Sequence, residues 1–127
     1  IITHVNPDPD SIGSALALSN LFHENKIKHK VFNISSDLPQ NLDFIPRFDK
    51  ITDQLPAFFD LAISVDCGTY KRLGFELDPS IPLINFDHHK SNNSFGAVNI
   101  VDPQKSSTAE LVFEFFNRLF CRFNFVL

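Results

Sequence analysis

Three apolar runs in this chain each end in side chains that commonly bind metal ions. Asp87-His88-His89 directly follows the apolar residues 82–86, His4 follows residues 1–3, and Asp66 follows residues 61–65. Short continuous apolar runs are typical of buried parallel strands. In an open α/β sheet the ligand site lies outside the carboxyl ends of the strands. The pattern therefore predicts that these polar side chains meet at one edge of a sheet.

The segments between these runs predict a mostly parallel, doubly wound α/β sheet with helices on both faces. One helix is expected to begin at Asp10 or Ser11, which are good N-cap residues, and to continue through His23. A second is expected from the capping box Ser107-Thr108-Ala109-Glu110 to about Phe120. The remaining predictions are a strand at 28–34, a helical turn at 69–73 stopped by Gly74, and a polar loop at 90–99, with no assignment for 35–55.

The chain has 127 residues, which suit one domain, and a formal charge of −4. That charge excludes a domain that binds duplex DNA through a broad basic surface. No run approaches about 18 consecutive apolar residues, so no membrane span is expected.

The two cysteines, Cys67 and Cys121, have no CxxC spacing and form neither a disulfide framework nor a zinc ribbon. We expect reduced thiols and a cytoplasmic protein. Cys67 is interpreted as a small buried residue behind the site, with a soft ligand or a nucleophile as the alternative.

Imidazole and carboxylate side chains make up the predicted site. Carboxylates crowded in a partly dry cleft repel one another strongly, so they take up protons or bind cations. Mixed imidazole and carboxylate ligands suit Mn²⁺, Fe²⁺, Zn²⁺ or Mg²⁺. Two such ions about 3.5–4 Å apart are the usual device for transferring a phosphoryl group to water. The candidate ligands are His4, Asp8, Asp10, Asp66, Asp87 and His88.

Asp66 follows the strand that we expect to be central, so it is the candidate bridging carboxylate. His4 and Asp8 would bind one metal ion, and Asp10 and His88 the other.

The other two residues of the Asp87-His88-His89 triplet have different expected roles. Asp87 would bind a metal weakly or orient a histidine from behind, and His89 would face the substrate phosphate. The predicted catalytic residues are Asp66, His88 and His89.

These motifs resemble those of the DHH phosphoesterase superfamily. The matching pieces, in order, are residues 4–14 (HVNPDPDSIGS), Val65-Asp66-Cys67-Gly68, Asp87-His88-His89 and Ser106-Ser107-Thr108-Ala109-Glu110. Each short motif is weak by itself, but the ordered set extends over nearly the whole chain. Among the subgroups, the chain most resembles the NrnA-like oligoribonucleases and 3′-phosphoadenosine-5′-phosphate phosphatases, and it resembles the family II pyrophosphatases less.

The resemblance implies a DHH-type fold and a hydrolase with two Mn²⁺ ions per site, with Mg²⁺ or another divalent cation as the alternative. It matches His89 to a residue that contacts phosphate. It matches the two metal ligand sets to His4, Asp8 and Asp66, and to Asp10, Asp66 and His88.

The family pattern also has a fourth motif with one more metal-binding Asp, and a smaller C-terminal substrate-binding domain of the DHHA1 type. Neither is found in this sequence. We therefore expect residues 1–127 to be the catalytic DHH domain, truncated at both ends. We also expect this fragment to bind its second metal ion weakly and to turn over slowly or not at all.

The expected reaction is hydrolysis of phosphoester bonds in oligoribonucleotides, 3′-phosphoadenosine-5′-phosphate or dinucleotides. The partner would then be a short single-stranded RNA or a small phosphorylated nucleotide, and a homodimer is left open. One alternative is an inorganic pyrophosphatase or exopolyphosphatase that uses the same metal pair. Another is a non-catalytic module that binds a metal ion or a nucleotide.

Overall fold

The computed structural model describes residues 1–35 and 37–123. The strands in this part are β1 (Ile2–Thr3), β2 (Val31–Phe32), β3 (Ile51–Thr52), β4 (Ala62–Val65), β5 (Leu83–Asp87) and β6 (Val98–Val101). The α-helices are α1 (Pro9–Glu24) and α2 (Thr108–Phe123), and short 3-10 helices occupy Gln40–Leu42, Phe48–Lys50 and Tyr70–Leu73. The strands form one sheet in the order β3-β2-β1-β4-β5-β6, and all neighbouring pairs are parallel.

The direction in which the chain builds the sheet reverses between β1 and β4. From β1 it passes through α1 to β2 and β3, then returns to the other side of β1 and continues outward through β4, β5 and β6. In doubly wound sheets this reversal opens a crevice at the carboxyl ends of the two central strands, where ligands bind. His4 follows β1 and Asp66 follows β4, so two predicted site residues lie at this crevice.

The two α-helices cover the same face of the sheet, where Leu18 and Val112 join Val65 in one buried cluster. The opposite face is covered by the 3-10 helix Tyr70–Leu73 and the loops around it, and Leu73 packs there with Ala62. The predicted α/β class is therefore confirmed. The helical part of this second cover is short: the 3-10 helix stops at Gly74, whose φ is 81°, as the sequence predicts.

The strand predictions at 61–65 and 82–86 agree with β4 and β5 to within a residue at each end. The strand predicted at 28–34 is observed only as Val31–Phe32, and β6 is not among the predicted strands: its first two residues lie in the segment 90–99 that is predicted to be a polar loop. Residues 35–55, which have no clear pattern, contain two 3-10 helices and β3.

None of the helices in the described ranges has both the length and the apolar character needed to cross a membrane.

Candidate metal centre

The side chains predicted to bind metal ions meet at the carboxyl edge of the sheet. His4 Nε2 lies 3.6 Å from Asp66 Oδ2 and 3.8 Å from Asp8 Oδ1. On the other side, His88 Nε2 lies 3.8 Å from Asp66 Oδ1 and 3.6 Å from Asp10 Oδ2. Asp66 therefore presents one oxygen to each predicted pair of ligands, which is the arrangement that a bridging carboxylate needs.

The first predicted ligand set is the tighter of the two. One donor atom from each of His4, Asp8 and Asp66 lies within 4.8 Å of the other two. In the second set, Asp66 and His88 meet this condition together with His89, whereas Asp10 approaches through its contact with His88.

Asp8 is the N-cap of α1 as well as a candidate ligand. Its Oδ1 accepts a hydrogen bond from Ser11 N at 2.9 Å, and Pro9 occupies the first helical position. The predicted N-cap at Asp10 or Ser11 is therefore wrong. Pro9 fits the first turn because its fixed φ suits a helix and its missing N–H has no partner to lose there. The cap holds the carboxylate of Asp8, whose side chain is 54% exposed, against the buried ring of His4.

Both candidate histidine ligands direct Nε2 toward the carboxylates. His4 Nδ1 lies 2.7 Å from Val5 O, and His88 Nδ1 lies 3.3 Å from Lys105 O. A proton on Nδ1, donated to these carbonyl groups, leaves the Nε2 lone pair for a metal ion, as in most metal-binding histidines. Arg72 Nη2 lies 3.0 Å from His4 Nδ1, but a nitrogen that donates to Val5 O cannot also accept from Arg72. Because the contact with Val5 O is the shorter of the two, the proton of the neutral His4 ring is assigned to Nδ1.

The start of α2 contacts two carboxylates of the site. Asp10 accepts hydrogen bonds from the backbone N–H groups of Thr108 and Ala109, at 2.8 and 2.9 Å. The hydroxyl group of Thr108 donates to Asp66 Oδ1 at 2.8 Å. Sequence reasoning missed these contacts, since it interpreted Thr108 as part of a capping box and of the family motif at residues 106–110, without a role in metal binding. The N-cap itself is present, because Ser107 Oγ accepts from Glu110 N at 3.0 Å.

Asp87 holds the ring of His89. Its Oδ1 lies 2.6 Å from His89 Nδ1, and its Oδ2 accepts a hydrogen bond from Asn92 Nδ2 at 2.6 Å. Both oxygens of this fully buried carboxylate are hydrogen-bonded within the chain, which places Asp87 to orient the ring of His89, one of its two predicted roles. His89 Nδ1 also lies 3.7 Å from Asp66 Oδ1, but a nitrogen that donates to Asp87 has no lone pair for a metal. The ring of His89 is 39% exposed, and Nε2 is the nitrogen that Asp87 does not contact.

Burial dominates the ionisation of the central carboxylate. It raises the pKa of Asp66 above its ordinary value, hydrogen bonds from His4 and Thr108 lower it, and the charges of Asp10 and Asp8 raise it further, so the pKa of Asp66 is raised overall. Burial also lowers the pKa of His4, but the Asp66 carboxylate and a backbone carbonyl outweigh it, so that pKa is raised. Negative charge at this centre is therefore costly without a cation.

The donor set fits a pair of divalent cations. Imidazole nitrogens and carboxylate oxygens suit Mn²⁺, Mg²⁺ and similar ions, and the ionic partners of the buried Asp66 within the described ranges are histidines. Cys67 is in neither group of closely spaced ligand atoms in the described residues. Burial raises the pKa of its thiol to about 12, and its Sγ donates to Thr69 O at 3.3 Å, which agrees with the interpretation of a small buried residue.

Polar side chains from β5 and the loop after it hold the turn that carries Asp66. Asn85 Nδ2 and Asn92 Nδ2 donate to Cys67 O at 3.1 and 3.3 Å. They support Asp66 in a left-handed backbone conformation, with φ 60°. Such a conformation is uncommon for a residue other than glycine, and it persists where the surrounding structure enforces it. Sequence reasoning assigned no role to Asn85 or Asn92.

The family model described as "DHH family, N-terminal domain" matches residues 1–124. The chain belongs to the DHH family. This DHH domain is 34% identical over 115 residues to "Bifunctional oligoribonuclease and PAP phosphatase NrnA" of Thermus thermophilus. It is 28% identical over 116 residues to the protein of the same name from Bacillus subtilis. These matches cover 88% and 89% of the chain but 34% and 36% of the relatives, so the DHH domain spans about a third of their length.

The fold of the DHH domain also matches a solved structure. A crystal structure of an exopolyphosphatase-related protein from Bacteroides fragilis superposes with a TM-score of 0.77 at 31% identity, over 95% of this chain and 38% of that one. The predicted family is therefore confirmed. The roles of single side chains in the DHH domain stay predictions.

Proposed function

We propose that this chain carries the metal centre of a phosphoesterase that hydrolyses short nucleotides. The substrates would be oligoribonucleotides, 3′-phosphoadenosine-5′-phosphate or dinucleotides. The observation that carries the proposal is the position of Asp66, with one carboxylate oxygen facing His4 and the other facing His88. The names of the NrnA relatives support this choice of substrates.

The two ligand sets would hold the cations, with Mn²⁺ as the first choice and Mg²⁺ or another divalent ion as the alternative. When bound, such a pair lowers the pKa of a water molecule and stabilises the charge that develops on a phosphoryl group. The sets are His4, Asp8 and Asp66, and Asp10, Asp66 and His88.

The carboxylates of the crevice would also make substrate binding depend on metal binding. Asp8, Asp10 and Asp66 place negative charge at the crevice, which repels a phosphate until cations offset it. His89 is partly exposed beside this charge, and Asp87 fixes its ring through Nδ1. We assign to His89 the contact with the substrate phosphate, in which the ring carries a proton on both nitrogens and donates from Nε2 to the phosphate while Nδ1 donates to Asp87. A ring that Asp87 already fixes makes this contact with less loss of entropy.

The test is a substrate panel on the full-length protein, with Mn²⁺ and with EDTA, comparing a dinucleotide, 3′-phosphoadenosine-5′-phosphate, pyrophosphate and polyphosphate. We expect Mn²⁺-dependent hydrolysis of at least one nucleotide and none with EDTA. Asp66→Asn should abolish it. His89→Gln should lower kcat by at least ~100-fold and keep Mn²⁺ binding, because it removes a substrate contact and no proposed metal ligand. His23→Gln, at the exposed end of α1, is the matched control and should leave the rate unchanged.

The second candidate is hydrolysis of pyrophosphate or polyphosphate at the same centre. It is supported by the likeness to the exopolyphosphatase-related protein. Mn²⁺-dependent release of phosphate from pyrophosphate or polyphosphate, with the nucleotides untouched, would favour it. A protein that binds Mn²⁺ and hydrolyses nothing in the panel, or an unchanged rate in Asp66→Asn, would favour the non-catalytic module.

A further inference from the structure

We propose that Thr108 is a positioning residue of the metal centre. Its hydroxyl group fixes the rotation of the Asp66 carboxylate, while the first backbone amides of α2 fix Asp10. The start of α2 would thus set the distance and orientation of two carboxylates that come from different elements. This inference rests on the proposed metal-dependent function and adds a residue to which no role in metal binding has been assigned.

The hydrogen bond from the Thr108 hydroxyl group holds the Asp66 carboxylate in one rotation about χ2, with one oxygen facing each ligand set. Thr108 Oγ1 donates to Oδ1, the oxygen that faces His88, and leaves Oδ2 toward His4. The χ2 torsion of an aspartate is broad and settles in no sharp minimum by itself. A hydrogen bond to one oxygen therefore has a direct effect on bridging, since both ions need the carboxylate in one orientation.

Asp10 is held from the same helix end. Thr108 N donates to Oδ2 and Ala109 N donates to Oδ1, so two consecutive amides grip both oxygens of one carboxylate. Oδ1 also accepts from Ser14 Oγ at 3.4 Å, so Oδ2, with one hydrogen bond, keeps a lone pair for a cation. Oδ2 is also the oxygen that lies 3.6 Å from His88 Nε2, its proposed partner in the second ligand set.

The rest of α2 provides a firm support for this grip. Leu111 and Val112, one turn into the helix, are buried. The Phe115 and Phe116 rings contact Phe86 of β5 with centroid distances of 5.2 and 5.8 Å. Because β5 leads directly into His88, the helix that positions Asp66 and Asp10 packs against the strand that positions the imidazole. Thr108 itself is fully buried, so its hydroxyl group has no competing contact with bulk water.

A role confined to packing makes a different prediction. Thr108→Val keeps the shape of the side chain and removes the hydroxyl group, whereas Thr108→Ser keeps the hydroxyl group and removes a methyl group. If Thr108 only fills space, serine is the more harmful change and neither variant alters metal affinity beyond its effect on folding. If Thr108 positions Asp66, valine is the harmful change and serine restores binding.

The experiment titrates Mn²⁺ into the metal-free protein by calorimetry, with free Mn²⁺ followed by electron paramagnetic resonance and the metal-free melting temperature measured in parallel. We expect Thr108→Val to weaken the more weakly held Mn²⁺ by about 10–100-fold and Thr108→Ser to stay within a few-fold of wild type. The control is Thr52→Val on β3, which removes a hydroxyl group that accepts a hydrogen bond from Gln54 N. It should leave Mn²⁺ affinity unchanged. If Thr108→Val does not fold, Thr108→Ala replaces it, because it removes the same donor.

The outcomes separate this inference from the proposed function. Wild-type Mn²⁺ affinity in the valine or alanine variant, or a lower melting temperature with unchanged affinity, would overturn the positioning role and leave the phosphoesterase proposal standing. A wild-type protein that binds two Mn²⁺ ions and hydrolyses nothing would overturn the function, while the affinity ratio would still decide the role of Thr108. A wild-type protein that binds no Mn²⁺ would overturn both.

Discussion

Asp66 is a buried carboxylate in left-handed backbone, and its pKa is raised by burial. Asp66→Asn keeps an oxygen to accept the Thr108 hydrogen bond, and asparagine tolerates a positive φ. We expect the metal-free variant to melt at or above the wild-type temperature at pH 7, because a costly buried charge is gone. We also expect its response to Mn²⁺ to vanish. Differential scanning fluorimetry with and without Mn²⁺ measures both effects.

Asp49→Asn is the control for that experiment, since Asp49 is exposed and pairs with Lys50. It should leave the metal-free melting temperature and the Mn²⁺ response as in wild type. A full Mn²⁺ response in Asp66→Asn would remove Asp66 from the site.

The raised pKa values of Asp66 and His4 give the metal-free protein a defined pH dependence. A group whose pKa is raised on folding stabilises the protein below its unfolded pKa, and this contribution is lost as the pH rises through the folded value. The relevant window runs from about pH 4, near the ordinary pKa of Asp, to above pH 6.5, the ordinary pKa of His. Across it, both groups make the metal-free protein less stable as the pH rises. The melting temperature of Asp66→Asn relative to wild type should therefore increase with pH across this window. A difference that shrinks as the pH rises would contradict the assignment.

The site residues that could be predicted from the sequence are those that directly follow a strand. His4, Asp66 and His88 come straight after strands, and strand ends share an edge. Thr108 and Asn85 could not be found this way, because their functional contacts are hydrogen bonds to residues far away in the chain, and threonine and asparagine are common in roles unrelated to metals.

At the element scale, the N-cap of α1 and the first ligand set share Asp8, and two substitutions separate the two roles. Asp8→Ala removes the cap and should lower the free energy of unfolding by about 1 kcal/mol. Asp8→Ser keeps an oxygen for Ser11 N and should stay near wild type in stability. Both should weaken Mn²⁺ binding, because neither has a carboxylate. Urea denaturation of the metal-free protein and Mn²⁺ titration measure the two properties separately, and wild-type Mn²⁺ affinity in Asp8→Ser would show that Asp8 is not a ligand.

The turn after the 3-10 helix Tyr70–Leu73 depends on Gly74. Its φ is 81°, and an added Cβ would clash with Val5 Cγ1 and lie 2.9 Å from Ile34 Cγ2. Gly74→Ala should therefore cost more than the roughly 1–2 kcal/mol of a left-handed backbone alone, measured by urea denaturation. Gly13→Ala is the matched control, since a Cβ there meets nothing within 4 Å, and in a helix it should stabilise the protein by roughly 0.5–1 kcal/mol. Equal effects of the two variants would contradict this account of the turn.

The elements that sequence reasoning placed correctly carry their own signals. The helices have caps and apolar spacing, and β4 and β5 are short, mostly apolar runs. β2 and β3 have two residues each and exist through their pairing, with Val31 opposite Ile51 and Phe32 opposite Thr52. Such short strands have no periodicity to detect, so β3 could not be predicted from residues 35–55.

At the scale of the whole molecule, the strand order determines why residues far apart in the chain share one site. The sequence predicted that strand ends would converge, but not that β1 and β4 would be adjacent at the reversal of the sheet. That adjacency depends on where the outer strands pair, which local patterns do not encode.

Because the candidate ligands come from β1, α1, β4 and β5 and are held by α2, a bound cation would tie most of the fold together. A ligand that binds only the folded state stabilises it by RT ln(1 + [L]/Kd), about 2.7 kcal/mol at 100 times Kd. For a domain of this size we expect Mn²⁺ to raise the melting temperature by roughly 10 °C and EDTA to reverse the rise. Amide hydrogen exchange should slow at the ends of β1 and β4 and in the first turn of α2, not along β3. An equal rise in Asp66→Asn, or protection spread evenly over the sheet, would mean that Mn²⁺ binds somewhere other than this crevice.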